Sequence, residues 1–217
     1  MWLMPRTASY VHRIDIRANR ASQSIHIVVS DIPYGLSLTT MEHDVLVTCK
    51  QSSRVKQFTT RGQLVREIFL EPSVVSPRHT VQLASGHLVV CHGERSDATH
   101  RVCLLTADGR FVVMSYDGST VNGDRCSLNW PTHVAVDHCH GYVYVADYNN
   151  KRVVILNNDM AQVGEVNMTG REANDGEPKS PLRLCLDINN NRLYTAECGG
   201  NIAVCSVHWR FRSDITD

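Results

Sequence analysis

The sequence predicts an all-β chain made of β-propeller blades, and three observations carry that prediction. A segment opening at Pro33 matches, without a gap, a segment opening 98 residues later at Pro131. Inside each copy, short apolar runs alternate with turns rich in Gly, Asn and Asp, and nothing between them has helical periodicity. A self-similar unit that recurs along a chain marks a stacked array of one supersecondary element, and four short strands per unit describe a blade.

The unit is clearest from Pro131 to Val166. Val134 and Val136 alternate with smaller or polar neighbours, the period of a strand with two unlike faces. Asp137 to Gly141 reads as a turn and Tyr142 to Ala146 as a strand covered on both sides. Asp147-Tyr148-Asn149-Asn150-Lys151 is a second turn, with side chains suited to local backbone bonding. Arg152 to Leu156 and Gln162 to Val166 supply the outer strands. In the copy from Pro33, Leu36, Leu38, Val45-Leu46-Val47, Arg54-Val55 and Phe58 occupy the same places. A third copy opens at Pro181, and a looser one at Pro77, whose first strand loses the apolar phase of the others. Upstream, Tyr10 to Ile16 and Ser24 to Val29 read as the outer two strands of an earlier blade. The expected organisation is one propeller domain over 1–217, with blades at 7–31 (partial), 32–72, 76–118, 128–168 and 179–211. That is four blades and part of a fifth. An incomplete ring would leave an apolar blade face open to self-association.

Composition narrows the function. Lys plus Arg and Asp plus Glu are 22 each, so the chain has no net charge to drive non-specific nucleic-acid binding. No apolar run reaches membrane-spanning length, and Met1 to Arg6 is too short for a secretory leader. The expected location is therefore cytoplasmic, with the eight cysteines reduced. Most of these cysteines fall in apolar strand runs, where a thiol acts as a small buried hydrophobe.

The string Asn129-Trp130-Pro131-Thr132-His133-Val134-Ala135-Val136-Asp137, followed by Tyr142-Val143-Tyr144-Val145-Ala146-Asp147 and Asn150-Lys151-Arg152-Val153, resembles the NHL repeat. The copy from Pro33 has Thr48-Cys49 for the Ala-Asp pair and keeps Arg54-Val55; the copy from Pro181 has Glu197 for the Asp. The resemblance covers residues 30 to 210 and implies a six-bladed ring, of which this chain is expected to be a fragment. It is similar to the C-terminal domain of tripartite-motif proteins, which implies binding of protein or RNA. The zinc-pair patterns of RING and B-box domains are not in this sequence, so no ligase activity is expected of it.

Catalytic signals are weak. His79 and His133 each stand two residues after the opening proline of their copies. Propellers that cleave peptidyl hydroxyglycine hold a channel metal on histidines one position earlier, and a one-residue shift turns a strand side chain to the opposite face. The other copies have Gly35 and Arg183 at that place, and neither is a ligand. His138-Cys139-His140 is adjacent on a short turn, where three side chains rarely converge on one ion. No nucleophile elbow, phosphate loop or dinucleotide fingerprint occurs. The expectation is no enzyme, no metal and no cofactor; a metal-dependent lyase stands as the least favoured alternative.

A propeller rim presents loops from every blade on a rigid scaffold, which suits partner binding. The resemblance to the NHL repeat implies that the loop between second and third strands shares a rim with the start of the first strand. That rim draws Tyr148, Asn149, Lys151 and Arg152 from one copy and Ser53 and Arg54 from another. The first-strand starts add Tyr34, Arg78, His79, Thr132, His133 and Arg183. Arg54 and Arg152 have a structural alternative as braces of the loop against a neighbouring Asp. The expected ligand is a protein or peptide, with single-stranded RNA as the alternative, since Arg beside Tyr is also a base-stacking surface.

Overall fold

The computed structural model describes residues 2–3, 10–17, 20–40, 44–94, 100–121, 124–168 and 179–207. Among them every regular element is a strand, and no helix is long and apolar enough to cross a membrane. An N-terminal sheet holds β1 (Trp2–Leu3), β2 (Tyr10–Arg17) and β3 (Arg20–Val28) in that order. Blade 1 follows as β4 (Pro33–Leu38), β5 (Val45–Cys49), β6 (Arg54–Phe58) and β7 (Leu64–Phe69). Blade 2 is β8 (His79–Gln82), β9 (Leu88–His92), β10 (Arg101–Leu105) and β11 (Val112–Tyr116). A separate hairpin, β12 (Gly118–Val121) with β13 (Asp124–Ser127), precedes blade 3. Blade 3 is β14 (Pro131–Asp137), β15 (Tyr142–Asp147), β16 (Arg152–Leu156) and β17 (Gln162–Asn167). Blade 4 is β18 (Pro181–Asp187), β19 (Arg192–Glu197) and β20 (Ile202–Ser206). All pairings are antiparallel meanders between sequence neighbours, so the sequence's strand order is the order in space.

The blades pack face to face, and each seam is a core of its own. Alternation along the middle strands assigns the sides. In β5, Val45, Val47 and Cys49 join Val11, Ile27 and Val29 of the N-terminal sheet, while Leu46 turns the other way to meet Leu88 and Val90 of blade 2. Val89 and Cys91 then meet Val134, Val136 and Val145 of blade 3. Tyr144, Ala146 and Val153, on the opposite face of blade 3, meet Leu184, Leu193 and Cys205 of blade 4. The first strands β4, β8, β14 and β18 run side by side along the inner edge. The outward face of blade 4 is open: Ile202 and Val204 are 71% and 45% exposed at places where Val153 and Ile155 of blade 3 are covered.

Three features differ from the sequence reading. The N-terminal sheet has a third, two-residue strand ahead of the two expected ones. The β12–β13 hairpin is an addition to the expected blades, although Asn122-Gly123 between its strands is a strong two-residue turn signal. Cys185 and Cys198 are exposed, whereas Cys49, Cys91, Cys103 and Cys205 are buried; the first two lie on the open face and in the β19–β20 turn of blade 4, which no neighbouring blade covers among the described residues.

Candidate partner-binding rim and inner-edge histidines

The starts of the first strands and the turns between second and third strands share one rim. Asn149 N–H donates to Asn129 O at 3.0 Å, its side-chain amide donates to Asn129 Oδ1, and Asn129 N–H donates to Asp147 Oδ1 at 2.7 Å. These bonds tie the β15–β16 turn to the segment feeding β14. Lys151 completes the turn with a left-handed φ of 53° and Ser53 does so in blade 1 at 49°.

Beneath the turn lies a buried ion network. Arg152, 5% exposed, donates through Nε to Asp147 Oδ2 at 2.8 Å and through Nη1 to Glu165 at 2.9 Å, with Nη2 on Cys126 O. Burial raises the Asp147 carboxyl against the pull of these donors. Arg54 repeats part of the pattern: its Nη1 meets Glu67 at 3.0 Å, and its guanidinium stacks on Phe69. Glu67 and Glu165 are also 98 residues apart, so the arginine and its acid recur together. Both arginines are therefore braces for the rim, with glutamate partners that the sequence reading does not identify. Pairing β6 with β7, and β16 with β17, is what sets Arg opposite Glu.

The residues after each opening proline behave differently. Register skips between Pro33 and Gly35, Pro131 and His133, and Pro181 and Arg183 mark a bulge at the middle residue. A bulge resets the two-residue alternation, so His133 does not turn away from the inner edge as the alternation of an unbroken strand would require, and it meets there His79, the first residue of β8. The two imidazoles stack, ring centroids 3.7 Å apart and 22° from parallel, across the seam of blades 2 and 3. His79 Nε2 bonds Leu36 O of blade 1 at 2.9 Å, and Leu184 N–H of blade 4 donates to His133 Nδ1 at 3.4 Å. The pair thereby links all four blades at the inner edge. Burial pushes His79 down to about 4 and holds His133 well below its ordinary value, helped there by His79 and Arg183. Both are neutral at pH 7. Gly35 makes room for them: a Cβ there would lie 2.5 Å from Arg78 O and 2.9 Å from His79 Cα.

Thr132, 2% exposed, donates its hydroxyl to the carbonyls of Pro181 and Leu182 and so braces the seam to blade 4. Arg78 is fully buried, its guanidinium 3.5 Å from the Trp130 ring centroid. Burial lowers its pKa, while nearby Tyr34, Cys91 and Glu94 favour the charged form. Trp130 itself has a φ of 63°, an uncommon left-handed conformation for a bulky residue. Tyr34 is half-buried with Lys50 above its ring, Tyr148 and Lys151 are half-buried, and Asn149 and Arg183 are exposed. Of the twelve rim residues expected from sequence, these five, Ser53 and the partly exposed Arg54 remain within reach of a ligand at the surface. Arg78, His79, Thr132 and Arg152 are buried in the support below it.

On the opposite rim, a cleft of about 320 Å³ is lined by Leu83, Ser85, Asp137, Cys139, His140 and Asn158, among others. The Asp137 carboxylate accepts from the backbone of Cys139 and His140 and from His140 Nδ1 at 2.8 Å, so the His-Cys-His turn is organised by that acid. No group of three potential metal ligands converges among the described residues.

Residues 128–156 match the family described as NHL repeat. No curated protein matches the sequence. Among solved structures, a chain of a nidogen/laminin complex superposes with a TM-score of 0.66 at 14% identity, over 92% of this chain and 71% of that one. A streptogramin B lyase does so at 0.59 and 12%, over 96% and 65%. Hydrazine synthase from Kuenenia stuttgartiensis gives 0.61 and 17%, over 95% and 80%. At such identities the likeness is one of fold.

Proposed function

We propose, from the premise that this chain is an NHL-repeat β-propeller, that it is a protein-interaction scaffold without catalysis of its own, binding its partner on the rim of Tyr34, Tyr148, Asn149 and Arg183. The observation that carries the reading is the division of labour at this rim. Tyr148 and Asn149 stand on the turn braced by the Asp147–Arg152–Glu165 network, and Tyr34 and Arg183 reach the same rim from the first strands of blades 1 and 4. Rigid support under adaptable contacts keeps the ordering cost of binding low. The similar chain of the nidogen/laminin complex has the same fold and belongs to a protein assembly.

The RNA reading has less support, because Arg54 and Arg152 spend their charge on glutamates within the chain. A lyase reading draws only on fold likeness, and the stacked histidines bond to backbone groups. A cytoplasmic location is consistent with eight free thiols. Self-association through the open face of blade 4 is a further consequence of the exposed Ile202 and Val204.

The test is affinity capture with the whole chain, a Tyr148→Ala/Asn149→Ala variant and an opposite-rim Ser85→Ala/Asn158→Ala control. A partner retained by the control and lost by the first variant supports the reading. Loss in both, or in neither, removes this rim from consideration. A parallel titration with mixed-sequence RNA, in which affinity falls steeply as salt rises, would favour the alternative.

A further inference from the structure

Arg152 displays how this fold accommodates a buried guanidinium: Nη2 on a backbone carbonyl, Nε and Nη1 each on a carboxylate. Arg78 repeats only the first part. Its Nη2 donates to Gly93 O at 2.9 Å and the Tyr34 side chain lies close enough to favour its charge, but Nε and Nη1 make no well-formed hydrogen bond among the described residues, and the side chain is 0% exposed. Leaving two charged donors unspent in a buried place costs more than almost any other arrangement of polar groups, and a carboxylate relieves it best, through paired bonds to the fork. No carboxylate of the described residues does so. Glu94, whose charge reaches the guanidinium, is exposed and accepts from the Ser76 hydroxyl instead.

We propose that Arg78 anchors a carboxylate-binding subsite of the rim, taking an acidic side chain of a peptide partner on its Nε–Nη1 edge. This rests on the reading of the rim as a protein-binding surface. The guanidinium is held ready for such a bond, since stacking on Trp130 fixes its plane and the Gly93 carbonyl fixes its rotation. Its neighbours reach the surface, since Tyr34 and Trp130 are half-buried and Glu94 is exposed. Lys50, on the blade 1 turn above Tyr34, and the exposed Arg183 of blade 4 add positive charge to the same rim. A peptide acid fits better than an RNA phosphate, because the indole face that a base would stack on is occupied by the guanidinium.

The experiment is calorimetric titration of the whole chain with acetyl-hexaglutamate amide, beside a hexalysine control and a uridine hexanucleotide. Saturable binding of the glutamate peptide alone is expected. Arg78→Lys keeps the charge and loses the fork, and should weaken it by about tenfold or more. Glu94→Gln, a surface change that does not disturb the core, should bind at least as tightly. Three outcomes overturn the subsite: no saturable binding, undiminished affinity in Arg78→Lys, or weaker binding in Glu94→Gln. Preference for the oligonucleotide transfers the site to RNA and overturns it equally. If the peptide fails while Tyr148→Ala/Asn149→Ala still loses a captured protein, the rim reading survives without the subsite. If that variant loses nothing either, both fall.

Discussion

The imidazoles of His79 and His133 lie stacked 3.7 Å apart, with a blade 1 carbonyl on one side and a blade 4 amide on the other. Two neutral rings thus hold a place that four blades share, and protonating either would set a charge against its partner and the nearby Arg183.

Acid should therefore loosen the propeller. His79 titrates near 4 when folded and near 6.5 when unfolded, so below pH 6.5 the unfolded chain binds more protons. Its contribution is complete above pH 6.5 and is lost as pH falls through about 4, amounting to roughly 3 kcal/mol for a shift of this size. His92, also held near 4 by burial, acts in the same direction. Urea unfolding at pH 7.5, 6, 5 and 4 should give falling midpoints, and His79→Gln should flatten the slope. A midpoint constant from pH 7.5 to 4 would contradict this.

Gly35→Ala should destabilise strongly, because the new methyl meets the backbone of blade 2 at 2.5 Å and 2.9 Å, where nothing flexible can yield. A loss of about 2–4 kcal/mol is expected, on the scale of overpacked cores. Gly164→Ala, whose nearest neighbour is Ile155 Cδ1 at 3.6 Å, is the matched control and should be nearly neutral. Thermal scans of the two proteins decide it.

Arg152→Met leaves Asp147, 0% exposed, without its principal cation and should cost about 3–5 kcal/mol. Arg54→Met removes a pair whose arginine side chain is 38% exposed and should cost about 1 kcal/mol or less. Equal losses by denaturant titration would mean that burial is not what separates the two braces.

Thiol labelling of the native protein should divide the cysteines. Cys139, Cys185 and Cys198 are exposed and should react quickly. Cys49, Cys91 and Cys103, pushed up to about 12 by burial, should react only on unfolding. Mass spectrometry after brief alkylation locates the modified residues.

Much of the architecture was legible because its signals are local. Val143 to Ala146 reads as a covered strand from its apolar run, and the turns at Asp137 to Gly141 and Asp147 to Lys151 announce themselves by residue type. The brace role of Arg152 was visible as an alternative, but Glu165 was not, since strand pairing alone sets it opposite. The site was less legible still: Tyr148 and Asn149 stand on the rim as expected, whereas Thr132 and Arg78 are support beneath it.

By itself, then, the sequence determined the blade, its four strands and their order, because alternation and turn chemistry act over a few neighbouring residues. Only the tertiary structure decided where the residues after each opening proline point. In blades 1, 3 and 4 a bulge breaks the alternation there, and in every blade the outcome depends on the facing one: Gly35 yields space, His79 and His133 fill it, and Arg78 is left buried with two donors unspent.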